Sequence, residues 1–472
     1  MYFHSLQFLS FLVATFAIYW AAHRSRRGRL AVLLLASLAF YAAWSPFPIL
    51  LFVACAAATH LAMRGMLRWE ARPAVRKLLL VLAVASSLGV LAVFKYGDLF
   101  YSTAAALLGR AGVSVRYEPL GLLLPIGLSF VALQDISLVV DVYRGEVRTR
   151  FTYAEHLLYL LFFPQVVAGP IVRASDLLER FHGVPTLSAE EGARGLLRIA
   201  MGLAKKLVIA DVIAAGLVDP VFADPTRYTA AECAVATLGY TLQLYFDFSA
   251  YSDIAIGAAA LFGFPLRENF DKPYLARNLF EFWSRWHISL STWLRDYLYI
   301  PLGGNRVSRP RVLLNLMAVM VLGGLWHGAD WRFALWGGVH GVGLVLTRSW
   351  WWLAGRPKER RLPGALLGWA ATFAVVVFTR VIFRADSVER ALVMFRRMGE
   401  LSPGLVNVGP AAWAAMAAAA ALHLLPRRAL DVTLRAFLWL PPPLRAAALV
   451  ALALAIRQVG AVELRPYVYF QF

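Results

Sequence analysis

Charge is what this sequence has least of. Of its 472 residues 16% are Asp, Glu, Lys or Arg, while 60% are hydrophobic. Soluble domains carry about 25% charged and about 45–50% apolar residues. The two or three soluble domains that length alone suggests are therefore excluded. Cysteine is nearly absent too. Cys55 and Cys233 both sit in apolar surroundings, which excludes a disulfide framework. Acidic residues number 28 against 47 basic ones, for a net charge of +19. That excess does not point to nucleic acid, and no nucleic-acid partner is expected. Much of the arginine falls in short loops between apolar blocks, where retention in the cytoplasm accounts for it. No internal repeat and no low-complexity tail is visible.

The first apolar segment, LQFLSFLVATFAIYWAA, lacks a basic stretch ahead of it. Arg24, Arg26, Arg27 and Arg29 follow it instead, the reverse of a cleaved signal peptide. It reads as a retained span with its C-terminal end in the cytoplasm. Residues 30–45 and 48–63 form a pair of spans joined by WSPFP. A second basic loop follows, with Arg64, Arg68, Arg72, Arg76 and Lys77. Two crossings after one cytoplasmic loop return to the cytoplasm, and the second arginine cluster lies where that count puts it. Further blocks cover 78–94, 119–140, 154–169, 198–218, 230–262, 312–328, 331–347, 364–383, 409–425 and 443–456. At about 20 residues per crossing this predicts an all-α polytopic membrane protein of roughly 11 to 13 spans. It reads as one membrane domain over 1–472. The blocks broken by Gly and Pro are expected to be re-entrant or interfacial.

Residues 264–311 hold too many charges to span a bilayer and too many aromatics for a free loop. Trp283, Trp286, His287, Leu290, Trp293, Leu294 and Tyr297 recur at spacings of three and four. This predicts one amphipathic helix over 280–297 lying at the interface, with His287 on its apolar face. PLGGN at 301–305 ends it. Beyond it, GGLWHGADWRFALWGGVHG at 323–341 places His327 and His340 among glycines and tryptophans. Each histidine has a plain alternative as a core imidazole held by a carbonyl or hydroxyl. Against that, ionisable residues in membrane segments are rare and tend to mark function, and imidazole titrates near neutrality. No metal is expected, since no Cys or carboxylate is spaced to complete a ligand set. Asp247 and Asp271 suit structural roles equally well.

FWSRWHISLSTWLRDYLYIPLGGNR (282–306) followed by GLWHGADW (324–331) resembles the membrane-bound O-acyltransferase family. The likeness is greatest to the branch that O-acetylates alginate or D-alanylates teichoic acids. LPIGLSF (124–130), FFPQVVAGPIVR (162–173), LYFDFSAYSDIAIGAAALFGF (244–264), ENFDKPYLARN (268–278) and the terminal YVYFQF (467–472) resemble that branch in the same order. The resemblance implies that His327 is the essential active-site histidine and His287 the second one. Asp253, Asn269, Arg295 and Asp296 fall in matching motifs as supporting residues. His340 is a further candidate, and Trp326 with the glycine backbone a candidate donor to an oxyanion.

The implied reaction is acyl transfer to a hydroxyl, for which a neutral imidazole is a suitable general base. The family implies no bound cofactor. It implies an acyl thioester, acetyl-CoA or an acyl carrier protein, arriving from the cytoplasm. The implied partners are membrane lipid, a polysaccharide acceptor and an exported acetyltransferase of the SGNH type. The implied location is the bacterial inner membrane. His327 stands 16 residues past Arg311, about 24 Å along a helix, so a broken or tilted helix is expected there. Two other classes fit parts of the pattern: a transporter using His327 as a proton relay, and a non-catalytic scaffold of a polysaccharide-modifying complex.

The basic loops at 24–29 and 64–77 are expected in the cytoplasm and the N-terminus outside. Cysteines introduced at positions 25 and 65 should resist impermeant thiol reagents in intact cells and react after permeabilisation. Labelling from outside would reverse the topology.

Overall fold

The computed structural model describes residues 2–113, 115–147, 149–355, 362–459 and 465–468. Its elements are helical, with no strand among the described residues. The N-terminal part comprises α1 (Leu6–Ala21), α2 (Arg26–Ala42), α3 (Phe47–Arg68), α4 (Pro73–Phe94), α5 (Gly97–Arg110), α6 (Leu128–Arg144), α7 (Tyr153–Leu161) and the single turn α8 (Ala174–Leu177). A long helical stretch follows as α9 (Ala189–Ala204), α10 (Asp211–Ile213) and α11 (Asp219–Ala223), joined by π-helical turns at Lys205–Ala210 and Ala214–Val218. Then come α12 (Ala230–Leu261), α13 (Leu279–Arg285), α14 (Ile288–Leu294), α15 (Arg309–His327), α16 (Trp331–Ala354) and α17 (Leu362–Arg384). The chain closes with α18 (Val388–Gly399), α19 (Pro410–Leu424), α20 (Arg427–Trp439) and α21 (Pro442–Val459).

Local chemistry sets several of these boundaries. Thr152 with Glu155, Ser188 with Glu191 and Thr229 with Glu232 each form a reciprocal capping box. Such a box satisfies two backbone donors that a helix start leaves bare. Gly127 takes a left-handed conformation, φ 77°, at the entry to α6, and a side chain there would meet the Val166 carbonyl oxygen at 2.5 Å.

Five described helices are long and apolar enough to cross a membrane: α3, α4, α15, α17 and α21. Two shorter ones, α1 and α19, are also apolar. Length and composition thus pick out fewer crossings than the 11 to 13 expected. Of the blocks that drop out, those forming α6, α7 and α12 are mostly enclosed by protein. In α12, 25 residues are buried, among them Glu232, Gln243 and Asp247, and a helix shielded from lipid can carry polar groups. Two expected crossings are also shorter than their apolar blocks. The chain is irregular from 115 to the turn before Leu128, so 119–140 is helical only in its second half. Block 154–169 ends its helix at Leu161 and continues as turns.

Arg26 and Arg29 of the first basic loop, Arg76 of the second and Arg144 after α6 tie into a polar layer. Arg26 pairs with Glu155 and donates to the Phe181 carbonyl. Arg29 reaches the Gly183 carbonyl, Arg76 the Tyr143 carbonyl and Arg144 the Asp296 carbonyl. The described C-terminal residues tuck inward: Val468 N donates to Asp247, which pairs with Lys206 at 2.8 Å. Residues 469–472 of the terminal motif lie outside the described residues.

Two hydrophobic cores result. One gathers α1 to α4, α6 and α7 with parts of α12, Leu290, Trp293 and Trp326. The other gathers the helical turns around 209–222 with Trp286, Trp336 and residues of α17 to α19. Helices α15 and α16 make the closest approach across the second. A methyl group on Gly324 would lie 2.2 Å from the Phe333 carbonyl oxygen, and one on Gly337 would lie 2.2 Å from the Met320 carbonyl oxygen. Backbone cannot retreat as a side chain can, and overpacking of this kind costs about 1–3 kcal/mol or more. Gly337→Ala should therefore lower the thermal unfolding temperature in detergent by several degrees and reduce the amount of folded protein. Gly338→Ala, where a methyl meets nothing within 4 Å, should leave both unchanged.

Candidate active site

His327 is the last residue of α15, and Gly328 after it is extended. Its ring touches both cores: Trp326 at 5.2 Å between centroids on one side, Trp336 at 5.3 Å and Phe383 at 5.3 Å on the other. The surrounding glycines do separate jobs. Gly324 serves helix contact, Gly328 lies under the Phe333 ring, and Gly323 lines a cavity. α15 runs unbroken to His327. The break expected there falls just after it, over Gly328–Asp330, where Asp330 caps α16 by accepting from Arg332 N.

The cavity holds about 500 Å³, within the usual range for a small-molecule site, about 300–1,000 Å³. At one end it is lined by His327, Trp336, Met320 and Gly323. At the other it is lined by Arg295, Tyr299, Asn305 and Arg348. Arg295 pairs with Asp296, and Asp296 with Arg173, so this mouth adjoins the arginine-rich layer. Asn305 Oδ1 accepts from Tyr299 at 2.8 Å and from Arg348 at 3.3 Å. Apolar walls between a cationic rim and an imidazole suit a ligand with an anionic head and a reactive tail.

His287 is fully buried and is not part of the cavity wall. Its ring packs on Phe248 at 4.7 Å and lies 6.0 Å from Trp326. Neither ring nitrogen has a hydrogen-bond partner among the described residues. The single amphipathic helix expected over 280–297 is not there. α13 stops at Arg285, His287 turns left-handed at φ 44°, and α14 starts at Ile288. The three-and-four spacing persists because both short helices pack inward. Phe282, Trp286, Leu290 and Trp293 are all buried, so this face packs into the core and does not lie along the interface. A β-carbon in the left-handed region is strained, and such strain clusters at functional positions.

The model of the membrane-bound O-acyltransferase family matches residues 144–382, which include both histidines and the cavity. A probable alginate O-acetylase AlgI of Pseudomonas aeruginosa is 39% identical over 403 residues, covering 84% of this chain and 75% of that protein. The chain belongs to the membrane-bound O-acyltransferase family. It is a multi-pass membrane O-acyltransferase. A peptidoglycan O-acetyltransferase of Helicobacter pylori is 36% identical over 392 residues, 78% of this chain and 73% of that protein. A teichoic acid D-alanyltransferase of Streptococcus thermophilus is 32% identical over 244 residues, 48% of this chain and 57% of that protein.

The remaining candidates of the acyltransferase divide by their contacts. Asn269 supports the His287 turn. Its Oδ1 accepts from Ser289 N at 3.1 Å and Ser289 Oγ at 2.9 Å, its Nδ2 donates to Ser252, and its backbone carbonyl accepts from Ile288 N. Asp253 does not support the histidines. Arg198 and Lys205 take up its carboxylate at 3.0 and 2.6 Å, so it pins α12 to the α9 stretch. Asp271 sends its backbone N–H to the Arg285 carbonyl, across the same turn. His340 lies behind Trp336, 4.7 Å from its ring. Thr379 gives its proton to the Val376 carbonyl, which leaves its oxygen to accept from His340 Nε2 at 3.1 Å. His340 thus matches the plain alternative of a core imidazole held by a hydroxyl.

Two cations near the site went unnoticed in the sequence. Arg380, on α17, lies 4.6 Å over the Trp286 ring, and its Nε and Nη2 have no hydrogen-bond partner among the described residues. Lys95 follows α4 and donates to the Trp326 carbonyl at 2.5 Å. Each interrupts or ends an apolar run, and that was the available signal.

Removing the Asn269 side chain leaves buried Ser289 and Ser252 groups without their partner, at about 1–3 kcal/mol for each unsatisfied group. Asn269→Ala should lower thermal stability by several degrees and acyl transfer by at least an order of magnitude, read on purified folded protein. Asn269→Ala with normal activity would remove it from the support of the His287 turn.

Proposed function

We propose that this enzyme O-acetylates an exported polysaccharide at the bacterial inner membrane, taking acetyl from a cytoplasmic thioester. The observation that carries this reading is the cavity that starts at Arg295, Asn305 and Arg348 and ends at His327. With the basic layer in the cytoplasm, the anionic part of acetyl-CoA, or the phosphopantetheine of an acyl carrier protein, meets the arginine rim. The thioester then lies along the apolar wall toward the imidazole. Names carried by the relatives, alginate O-acetylase and peptidoglycan O-acetyltransferase, support acetyl as the group and a cell-envelope polymer as the acceptor.

His327 serves as the general base. Its neutral ring takes the hydroxyl proton as the oxygen attacks the thioester carbonyl, and the C–O bond forms. Collapse of the tetrahedral intermediate breaks the C–S bond, and the imidazolium returns the proton to the departing thiolate. An oxyanion formed on the way needs preorganised donors, and the Trp326 indole, adjacent to His327 but outside the cavity lining, is the candidate for that role. His287 packs against Trp326 and sets its orientation. An exported acetyltransferase of the SGNH type is the partner that completes transfer to the polymer.

Removal of a general base costs about 10²–10⁴-fold in rate. His327→Ala should therefore insert and accumulate normally while the polymer loses most alkali-released acetate, normalised to the immunoblotted protein. Wild-type acetate at matched protein levels would make the histidine structural. Arg348→Ala should raise the KM for acetyl-CoA several-fold and leave kcat within about twofold, as for uniform binding lost at a rim. An unchanged KM would move the donor route elsewhere.

A further inference from the structure

The end of α15 is gripped by the residues that follow α4. A helix C-terminus leaves its last carbonyls without intrahelical donors. Here the Leu325 carbonyl accepts from the Tyr96 hydroxyl at 3.0 Å, and the Trp326 carbonyl accepts from Lys95 Nζ at 2.5 Å. These carbonyls belong to the two residues immediately before His327. Lys95 Nζ also donates to Ser129 Oγ at 3.2 Å, on α6, and lies 5.9 Å from the Trp326 ring centroid.

Lys95 is buried and has no ion-pair partner among the described residues. An ammonium without a counter-ion is a costly group to enclose. What offsets the cost here is the negative end of the α15 dipole, where cations are favoured. An apolar side chain of similar length would fill the space without that cost, so the Nζ donor itself is the feature to explain. Successive residues of a helix differ by about 100° in direction. Two donors on successive carbonyls therefore hold the last turn against rotation as well as sliding.

We propose that Lys95 and Tyr96 are positioning residues for His327: a clamp that fixes the last turn of α15 so that the imidazole stands within proton-transfer reach of the acceptor hydroxyl. This rests on His327 as the general base. The rings around His327 restrain its side chain, and the two donors restrain the backbone that carries it. Displacement of a reacting group by about 1 Å costs on the order of 100-fold in rate. Neither clamp residue lies within 144–382, the part matched by the family model.

The test uses the full chain in lysates of polymer-producing cells, given radiolabelled acetyl-CoA at several concentrations. Label in alkali-labile esters is measured per amount of folded protein. Lys95→Met keeps the length and loses the donor; it should lower kcat about 10- to 100-fold with the apparent KM for acetyl-CoA within about twofold. Tyr96→Phe loses one hydroxyl and should lower kcat several-fold. Lys95→Arg should recover part of the loss because it restores the cation. Unchanged kcat in folded Lys95→Met, or a loss that follows only the amount of folded protein, overturns the clamp. If Lys95→Met fails to fold, Tyr96→Phe decides, and wild-type kcat there overturns it. His327→Ala in the same lysates separates the two readings. Activity retained in that variant removes the general base, whereas its loss beside normal Lys95→Met and Tyr96→Phe removes only the clamp.

Discussion

The contact between Gly324 and Gly337 is the constraint on which the site depends. It brings the backbones of α15 and α16 together so closely that neither position accepts a methyl group. With that contact made, Trp336 stands beside His327 and His340 stands behind Trp336. The cavity wall then forms from residues of both helices together with α14. Helix association in membranes relies on close packing of this kind, because lipid is as apolar as the side chains. The glycines that make the motif conspicuous are thus mostly builders of the scaffold. Gly323, on the cavity wall, is the one placed to touch a ligand.

The site forms at the seam between the two cores. Trp326 belongs to the N-terminal one, and Trp336 and Phe383 belong to the other. His327 contacts all three. Within the N-terminal core, the Trp293 indole donates to the Leu133 carbonyl and ties α14 to α6. The first helices of the chain are therefore not an accessory to the matched family region. They pack against Trp326 through Phe130 and supply the donors at the end of α15.

Much of this was legible in the sequence. His327 and His287 were marked by motifs, and the apolar blocks from 312 onward became α15, α16, α17, α19 and α21 with shifts of a few residues. The turn at His287 was not legible. Spacings of three and four report which side chains face inward, and both α13 and α14 face inward, so the pattern runs through the break. Hydropathy alone does not separate lipid-facing from protein-facing residues, so buried helices such as α12 read as apolar blocks beside the five that pass on length and composition. The buried carboxylates of α6 and α12, Asp135 and Asp247, were hard to weigh for the same reason. Asp135 is held by Thr59, Ser87 and His156, and Asp247 by Lys206, partners distant in sequence. Lys95 escaped because a lysine after an apolar block ordinarily marks a span reaching water, and here it marks a buried helix end.

The length of α12 has its own consequence. Thirty-two residues make a rod of about 48 Å, against a hydrocarbon layer of about 30 Å. A lipid-facing rod of that length would tilt to match the bilayer, and its angle would follow membrane thickness. α12 is walled in by protein along most of its length, so its inclination is fixed by neighbours. Adjustment to thicker or thinner lipid then falls on the outer helices, such as α4 and α21, whose surfaces are largely exposed. The reaction chamber is mechanically insulated from the bilayer that surrounds it.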